Sequence, residues 1–488
     1  MQINPPKLDG TPDTHPMLAM TRRTLMGKGA VGVGAIALGS LMNPIKAGAS
    51  QSAPGVLPSP HHNAKAKRVI YLMMGGGPSH VDLFDPKPAM HTHNGEPMPE
   101  SLMDTTRLAT TQGQKQFKVL AGQHPYKRWG KCGTEIAEIL PYTGSIADDI
   151  CVVRSASTEA VNHAPAVTFC LTGSQIPGRP TMGAWASYGL GTENKDLPAF
   201  VVMTSRDREN SCGQLLYDHY WGSGFLPSEY QGVRMRGQGD PVLYIKDPAG
   251  VDRAQRGKAI DDINTLNHFK HDAVGDPEIK ARIAQYELAY RMQMSVPELT
   301  DLSDEREDTL ALYGPDVHRP GSFARNCLLA RRLAERGVQF IQLMHAGWDQ
   351  HNNLQTQFKV QCKDTDQPSA GLVLDLKRRG LLDDTLVIWG GEFGRTPFAQ
   401  GNSNTGRDHH GNAFSFWMAG GGVRPGIAYG QSDDFAFNVV ENKVHVHDFQ
   451  ATVLHQMGID HERLTYRYQG RDFRLTDVHG HVVEDILT

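Results

Sequence analysis

Five short polar runs hold the residue types that bind cations and move protons. The richest is His345-Ala-Gly-Trp-Asp-Gln-His-Asn-Asn353. Asp349 and His351 stand two apart there, so in extended backbone they share one side. A carboxylate with an imidazole suits zinc, manganese or iron. In Trp389-Gly-Gly-Glu-Phe-Gly-Arg-Thr-Pro397, Glu392 can ligate a metal or move a proton. Arg395 carries the planar fork that grips sulfate or phosphate. In Gly406-Arg-Asp-His-His-Gly-Asn412, neighbouring imidazoles of an extended segment point to opposite sides. One of His409 and His410 then faces a metal while the other bonds elsewhere.

The remaining two runs each have two readings. Asn162-His163 precedes Pro165, a residue suited to the first turn of a helix. Either the free N–H groups of that turn hold an anion beside Asn162 and His163, or Asn162 only caps the helix. Gly75-Gly-Gly-Pro-Ser-His-Val-Asp-Leu-Phe-Asp85 crowds Ser79, His80, Asp82 and Asp85 into one turn. Its glycines let backbone approach an oxyanion, and its Asp85-Pro86 step equally suits simple turn chemistry. His445-Val-His-Asp448 reads chiefly as a helix start.

Strands are expected immediately before most of these runs. Val69–Met74 is an unbroken apolar stretch, as in a strand buried on both faces of a parallel sheet. Ile150–Val153, Ala199–Met203, Val338–Met344, Thr385–Trp389 and Phe414–Met418 read the same way. Helices are expected over Ser322–Arg336, Gln367–Arg379 and Asp448–Met457, the last with Asp448 as N-cap. Alternation of this kind predicts an α/β fold with a doubly wound, mostly parallel sheet. Ligands of such sheets sit at the carboxyl ends of the strands. Residues 205–320 break the rhythm and read as an insertion over one sheet edge, with one good helix from Glu278 to about Met294.

The chain carries 49 Lys and Arg against 53 Asp and Glu, a net charge of −4, which argues against nucleic acid or an anionic membrane as partner. Six scattered cysteines form no CxxC pair, so a zinc ribbon or dithiol redox motif is excluded. Near the start, Arg22-Arg23 precedes an apolar Gly/Ala-rich stretch, Gly29–Met42, and then small residues at Ala47-Gly-Ala-Ser50. This is the layout of an export signal of the twin-arginine kind, and its apolar part is shorter than the ~20 residues a membrane span needs. Residues 1–48 are therefore expected to be removed, 49–64 to form a linker and 65–488 to form the folded domain. The expected location is periplasmic or extracellular, with the twin-arginine translocase as transient partner and no integral span after signal removal.

Gly76–Asp85, Gly391–Pro397, Gly406–His410 and the tail Tyr468-Gln-Gly-Arg-Asp-Phe-Arg-Leu-Thr-Asp477 together resemble a family of exported, sulfatase-like proteins, domain of unknown function 1501. That family is placed in the alkaline-phosphatase-like superfamily of sulfatases, phosphatases and phosphomutases. The resemblance spans about residues 65–480. It implies a divalent metal (zinc, calcium, manganese or magnesium) and hydrolysis of a sulfate or phosphate ester, small or polysaccharide. In the superfamily a Ser, Thr or modified Cys nucleophile stands ten residues before a Thr-Gly glycine. Here that glycine is Gly173, and His163 takes the nucleophile's place. Asp349, His351 and His409 fall at the places of one metal's ligands. The places of the other metal's ligands hold Gly76, Glu392 and Phe393, and Asp82 or His80 would have to replace the missing carboxylate.

The expected function is an exported metal-dependent ester hydrolase. His163, Arg395 and Asn162 are its catalytic candidates, and Asp349, His351, Glu392, His409, His410, Asp82 and His80 its metal candidates. Two other readings stand beside it: a metal- or anion-binding protein without turnover, and a component of an exported polysaccharide-handling assembly.

Overall fold

The apolar run after Arg68 forms the middle of a large sheet, because both of its faces find a core. In the strand Arg68–Gly75 (β1), Ile70, Leu72 and Met74 enter one apolar cluster, and Val69, Tyr71 and Met73 enter another. The computed structural model describes residues 53–102, 114, 116–206, 216–237, 241, 252–400 and 405–488. Residues 1–48, expected from the sequence to be an export signal, lie outside them.

The other strands follow in chain order. They are Ile150–Ser157 (β2), Phe200–Arg206 (β3), Val233–Met235 (β4), Phe340–Ala346 (β5) and Thr385–Gly390 (β6). A hairpin of Gly394–Ala399 (β7) and Arg407–His410 (β8) lies beyond β6. Phe414–Ala419 (β9), Ile427–Tyr429 (β10) and Val444–His445 (β11) follow, and further short strands pair outside this sheet. The central sheet runs β10-β2-β9-β6-β1-β5-β3-β4, with β11 also against β2. Strand β9 is antiparallel to β2 and β6, and every other pairing in this sheet is parallel.

Helices cover both faces, as the alternation predicts. His163–Thr172 (α1), Met182–Leu190 (α2) and Val446–Gln456 (α7) send Phe169, Trp185 and Val453 into the second cluster. Phe323–Glu335 (α5) and Leu354–Arg378 (α6) send Leu328 and Leu372 into the first. Ser322 caps α5 by accepting from the Arg325 amide at 3.0 Å.

Three elements differ from the expectation. Helix α6 starts at Leu354 and passes through Pro368, because Phe358, Cys362, Leu372 and Leu376 bury one continuous face on both sides of it. That face outweighs the lost helical bond, a cost of about 3 kcal/mol. Helix α7 begins at Val446 with His445 as its N-cap, and Asp448 instead closes the capping box from the third position, accepting the His445 amide at 2.9 Å. Within 205–320, Arg253–Val274 (α3) precedes the expected helix, which runs Pro277–Thr300 (α4) and sends Met292, Val296 and Leu299 into the core. Helix α3 leaves Ile263, Leu266 and Phe269 exposed. Residues 53–64 also depart from a free linker. Ala53–Pro54 pair with Gly191–Thr192, and His61 donates its amide to the Gly458 carbonyl at 2.8 Å.

Candidate metal centre

Register decides where the polar runs meet. Gly75 ends β1 beside Ala346, the end of β5, and Gly390 ends β6 beside Met73. Three loops therefore leave the sheet at one place. The Gly347 and Trp348 amides both donate to the Gly75 carbonyl, at 3.3 and 3.1 Å. Gly76 has φ +118°, and a Cβ there would lie 2.6 Å from the Asp349 amide nitrogen. Only glycine lets the two loops nest. Trp348, fully buried against Phe358 and Trp389, anchors the loop that carries Asp349.

Four side chains converge there. His163 Nε2, His351 Nε2 and His409 Nε2 lie 3.0, 2.8 and 3.3 Å from Asp349 Oδ1. One ligand atom from each of the four lies within 4.8 Å of all the others. The far nitrogen of each ring is taken. His409 Nδ1 donates to the Val161 carbonyl at 2.9 Å, His351 Nδ1 meets Gln400 Oε1, and His163 Nδ1 meets Glu392 Oε1 at 2.6 Å. A carbonyl or carboxylate can only accept, so Nδ1 carries the hydrogen. Without a cation, a protonated ring donates from Nε2 to Asp349 as well; in the neutral ring Nε2 holds a lone pair on that side, which a cation between them would satisfy. Three imidazoles and a carboxylate form a nitrogen-rich donor set that fits a zinc-type ion.

The charges agree with this crowding. Burial raises the Asp349 carboxyl, but hydrogen bonds from His163, His351 and His409 and the Arg395 charge hold it far below the usual carboxylate range. Burial lowers His163, and its hydrogen bonds to Asp349 and Glu392 overcome that and push it up to about 9. Burial lowers His409, and the Arg395 and His163 charges oppose its protonation further.

Residues 66–487 match the sequence model of a family described as "Protein of unknown function (DUF1501)". The chain belongs to the DUF1501 family. No curated protein matches it. Similar solved structures include the lipoteichoic acid synthase LtaP from Listeria monocytogenes, at 6% identity, 87% of this chain and 78% of that chain, with a TM-score of 0.34. The PsFucS1 sulfatase from Pseudoalteromonas sp. is similar at 11% identity over 82% and 68%, TM-score 0.32. The alkaline phosphatase from the Antarctic bacterium TAB5 is similar at 12% identity over 81% and 97%, TM-score 0.29.

Several candidates of this DUF1501 chain stand elsewhere. Arg395 does not present an anion grip. Its buried guanidinium donates to the carbonyls of Gly76, Gly77, Trp348 and Arg407 and to Asp349 Oδ1 at 2.6 Å. It braces the nested loops and offsets the Asp349 charge. Asp82 lies outside the four-residue group. Fully buried, it accepts from Arg407 Nε at 2.8 Å, from Ser79 Oγ and from the Gln123 amide at 2.7 Å. His80 Nε2 meets the Ala436 carbonyl at 3.1 Å, and His410 Nε2 meets the Phe437 carbonyl. Both hold the loop at Ala436–Phe437, and His410 thus faces away from its neighbour His409. Glu392 sits behind His163 and not in the group. It accepts from the Gly76 amide at 3.0 Å as well, so it orients the ring. Asn162 occupies the N-cap of α1 with no side-chain cap bond, and its carbonyl accepts the Ala166 amide at 2.9 Å.

Four participants carry no sequence signal strong enough to find them. Gln400 and the Val161 carbonyl hold imidazole edges. Phe393 packs 5.0 Å from His163 and 4.8 Å from His409, ring centre to ring centre. Arg407 ties Asp82 to the carbonyls of Leu120, Ala121 and Thr396. It lies within the Gly406–Asn412 run, but nothing in that run distinguishes it from a surface arginine.

Proposed function

We propose that this protein is an exported, metal-dependent hydrolase of sulfate or phosphate esters that works without a Ser, Thr or Cys nucleophile. The observation that carries the reading is the convergence of three imidazole Nε2 atoms on one carboxylate oxygen, each ring fixed from behind. Asp349, His351 and His409 would hold the cation. Imidazole donors favour zinc or manganese over calcium or magnesium, which prefer all-oxygen sites. Such an ion, when bound, polarises an ester oxygen and acidifies water. His163 presents Nε2 to the same point and keeps Nδ1–H on Glu392. Once Asp349 is engaged by the cation and no longer holds a second proton on the ring, that tautomer is competent to accept a proton from an attacking water or to attack the ester itself. Glu392 holds the ring and stabilises its positive charge.

The test is metal analysis of the purified protein, joined to a screen of sulfate and phosphate esters. One divalent ion per chain and turnover of at least one ester class are expected. In His163→Ala, turnover should fall about 10²-fold or more with metal content retained. Full activity in that variant overturns the assignment of His163. The commitment of Arg395 to protein acceptors favours one second reading, a metal-binding protein without turnover. A metal-replete protein inert toward both ester classes establishes that second reading.

A further inference from the structure

Beside the metal centre lies a larger space whose lining is almost wholly polar. Strand β2 ends at Ser157, and its parallel neighbour β11 places His445 opposite that residue. Ser157, Thr158, Glu159, Asn412, Lys443 and His445 surround a cavity of about 600 Å³, with Val439 as an apolar member. That volume is within the range of small-molecule sites. Its groups include both donors and acceptors. Glu159 Oε2 pairs with His445 Nε2 at 2.8 Å, and Asn412 donates to Asn438 at 3.0 Å. Ser157 is only 2% exposed, yet its Oγ has no hydrogen-bond partner. That hydroxyl stands behind the polar lining, because its oxygen is closed off from the surface.

The lining of the cavity lies near the metal centre along the chain. The Thr158 amide donates to the Gly411 carbonyl at 2.8 Å, and a Cβ on Gly411 would lie 2.4 Å from the Thr158 oxygen. Glu159 is two residues from Val161, whose carbonyl holds His409. Asn412 is three residues from His409, at most about 11 Å along the chain. Lining residues thus stand within about 11 Å of residues that form or hold the metal centre, a distance that one or two sugar rings cover. An aliphatic ligand would leave these polar groups unpaired. An anion would meet the Glu159 carboxylate, with Lys443 as the single lysine or arginine of the lining. Hydroxyl groups, which both donate and accept, match this mixture of donors and acceptors.

We propose that this cavity binds the neutral, polyhydroxylated sugar portion of an ester whose charged group sits at the metal centre. The proposal rests on the hydrolase reading for the identity of that ester, but its test needs neither metal nor turnover. Chelator-treated protein is applied to an array of neutral mono- to tetrasaccharides, and the best sugar is titrated calorimetrically. At least one sugar should bind. Asn412→Leu should weaken it tenfold or more, and Lys443→Met, at an exposed position that folding does not need, at least threefold. Asp349→Ala with His409→Ala should leave sugar affinity unchanged. Sugar binding retained by a protein that turns over no ester supports the cavity and defeats only the hydrolase reading. No sugar bound by the wild type, or affinity unchanged in both cavity variants, overturns the proposal.

Discussion

At the scale of single residues, Asp349 is the pivot, since three imidazoles and Arg395 all address its Oδ1. Asp349→Ala with His409→Ala should abolish metal binding, and full metal content by elemental analysis would rule this centre out. The proton on His163 gives a second check in chelated protein. Its folded pKa of about 9 exceeds the ordinary 6.5. The folded state therefore keeps a proton that the unfolded chain releases above pH 6.5. The stabilisation is complete below pH 6.5 and disappears as pH climbs through about 9. Thermal melts of metal-free wild type should show that decline, and His163→Ala should flatten it. With metal present the trend reverses, because ligands bind the ion only when deprotonated and occupancy falls in acid. Asp82 makes a contrasting case. It and Arg407 are wholly buried and mutually paired. Removing one partner strands a buried charge, so Asp82→Ala should cost about 3–5 kcal/mol in urea unfolding. A loss under about 1 kcal/mol would contradict the structural role given to it.

At the scale of elements, the centre depends on how closely the loops after β1 and β5 approach. Gly76 is the tightest point, with φ +118° and the backbone of the other loop 2.6 Å from where a side-chain Cβ would stand. Gly76→Ala should strain the backbone by about 1–3 kcal/mol and push Asp349 away from the imidazoles. Lower melting temperature together with weaker metal affinity is the expected pair of readouts. Unchanged metal affinity would show that the nesting of these loops does not position Asp349. The glycine also explains why no carboxylate stands at this place. Its amide is used by Glu392, and Glu392 in turn holds His163. Aspartate at 76 would meet the backbone of Trp348 and Asp349.

At the scale of the molecule, the four converging residues come from three separate chain segments. His163 starts α1, Asp349 and His351 share the loop after β5, and His409 lies on β8. An ion that bridges them binds the folded state alone. At a hundredfold excess over its Kd it should add about 2.7 kcal/mol, and chelation should lower the melting temperature accordingly. Equal melting with and without chelator would argue against an ion bridging these segments. The export proposal belongs to the whole chain as well. Replacing Arg22-Arg23 by Lys-Lys should leave the precursor inside the cell, and fractionation showing normal export would defeat it. Among the described residues no helix is long and apolar enough to cross a membrane.

The layers of the fold were legible from the sequence. Runs such as Val69–Met74 and Thr385–Trp389 are buried at every position, and only a strand covered on both faces uses such a run. The sequence also placed Asp349 and His351 just beyond a strand's end, where loops of a parallel sheet gather, whereas His409 lies within the hairpin strand β8. Helix limits were less legible where tertiary burial overrode local signals, as at Pro368, or where a helix shows apolar residues to solvent, as α3 does. The roles within the polar runs were decided only in three dimensions. Arg395, Asp82, His80 and His410 have the residue types of a reactive site, but a side chain's partners come from segments up to 356 residues away. Sequence spacing carries no information about a carbonyl such as that of Val161 or Phe437. Strand register, by bringing Gly75 beside Ala346, selected which carboxylate and which imidazoles face one another. That selection is a property of packed backbone, and no single run of residues contains it.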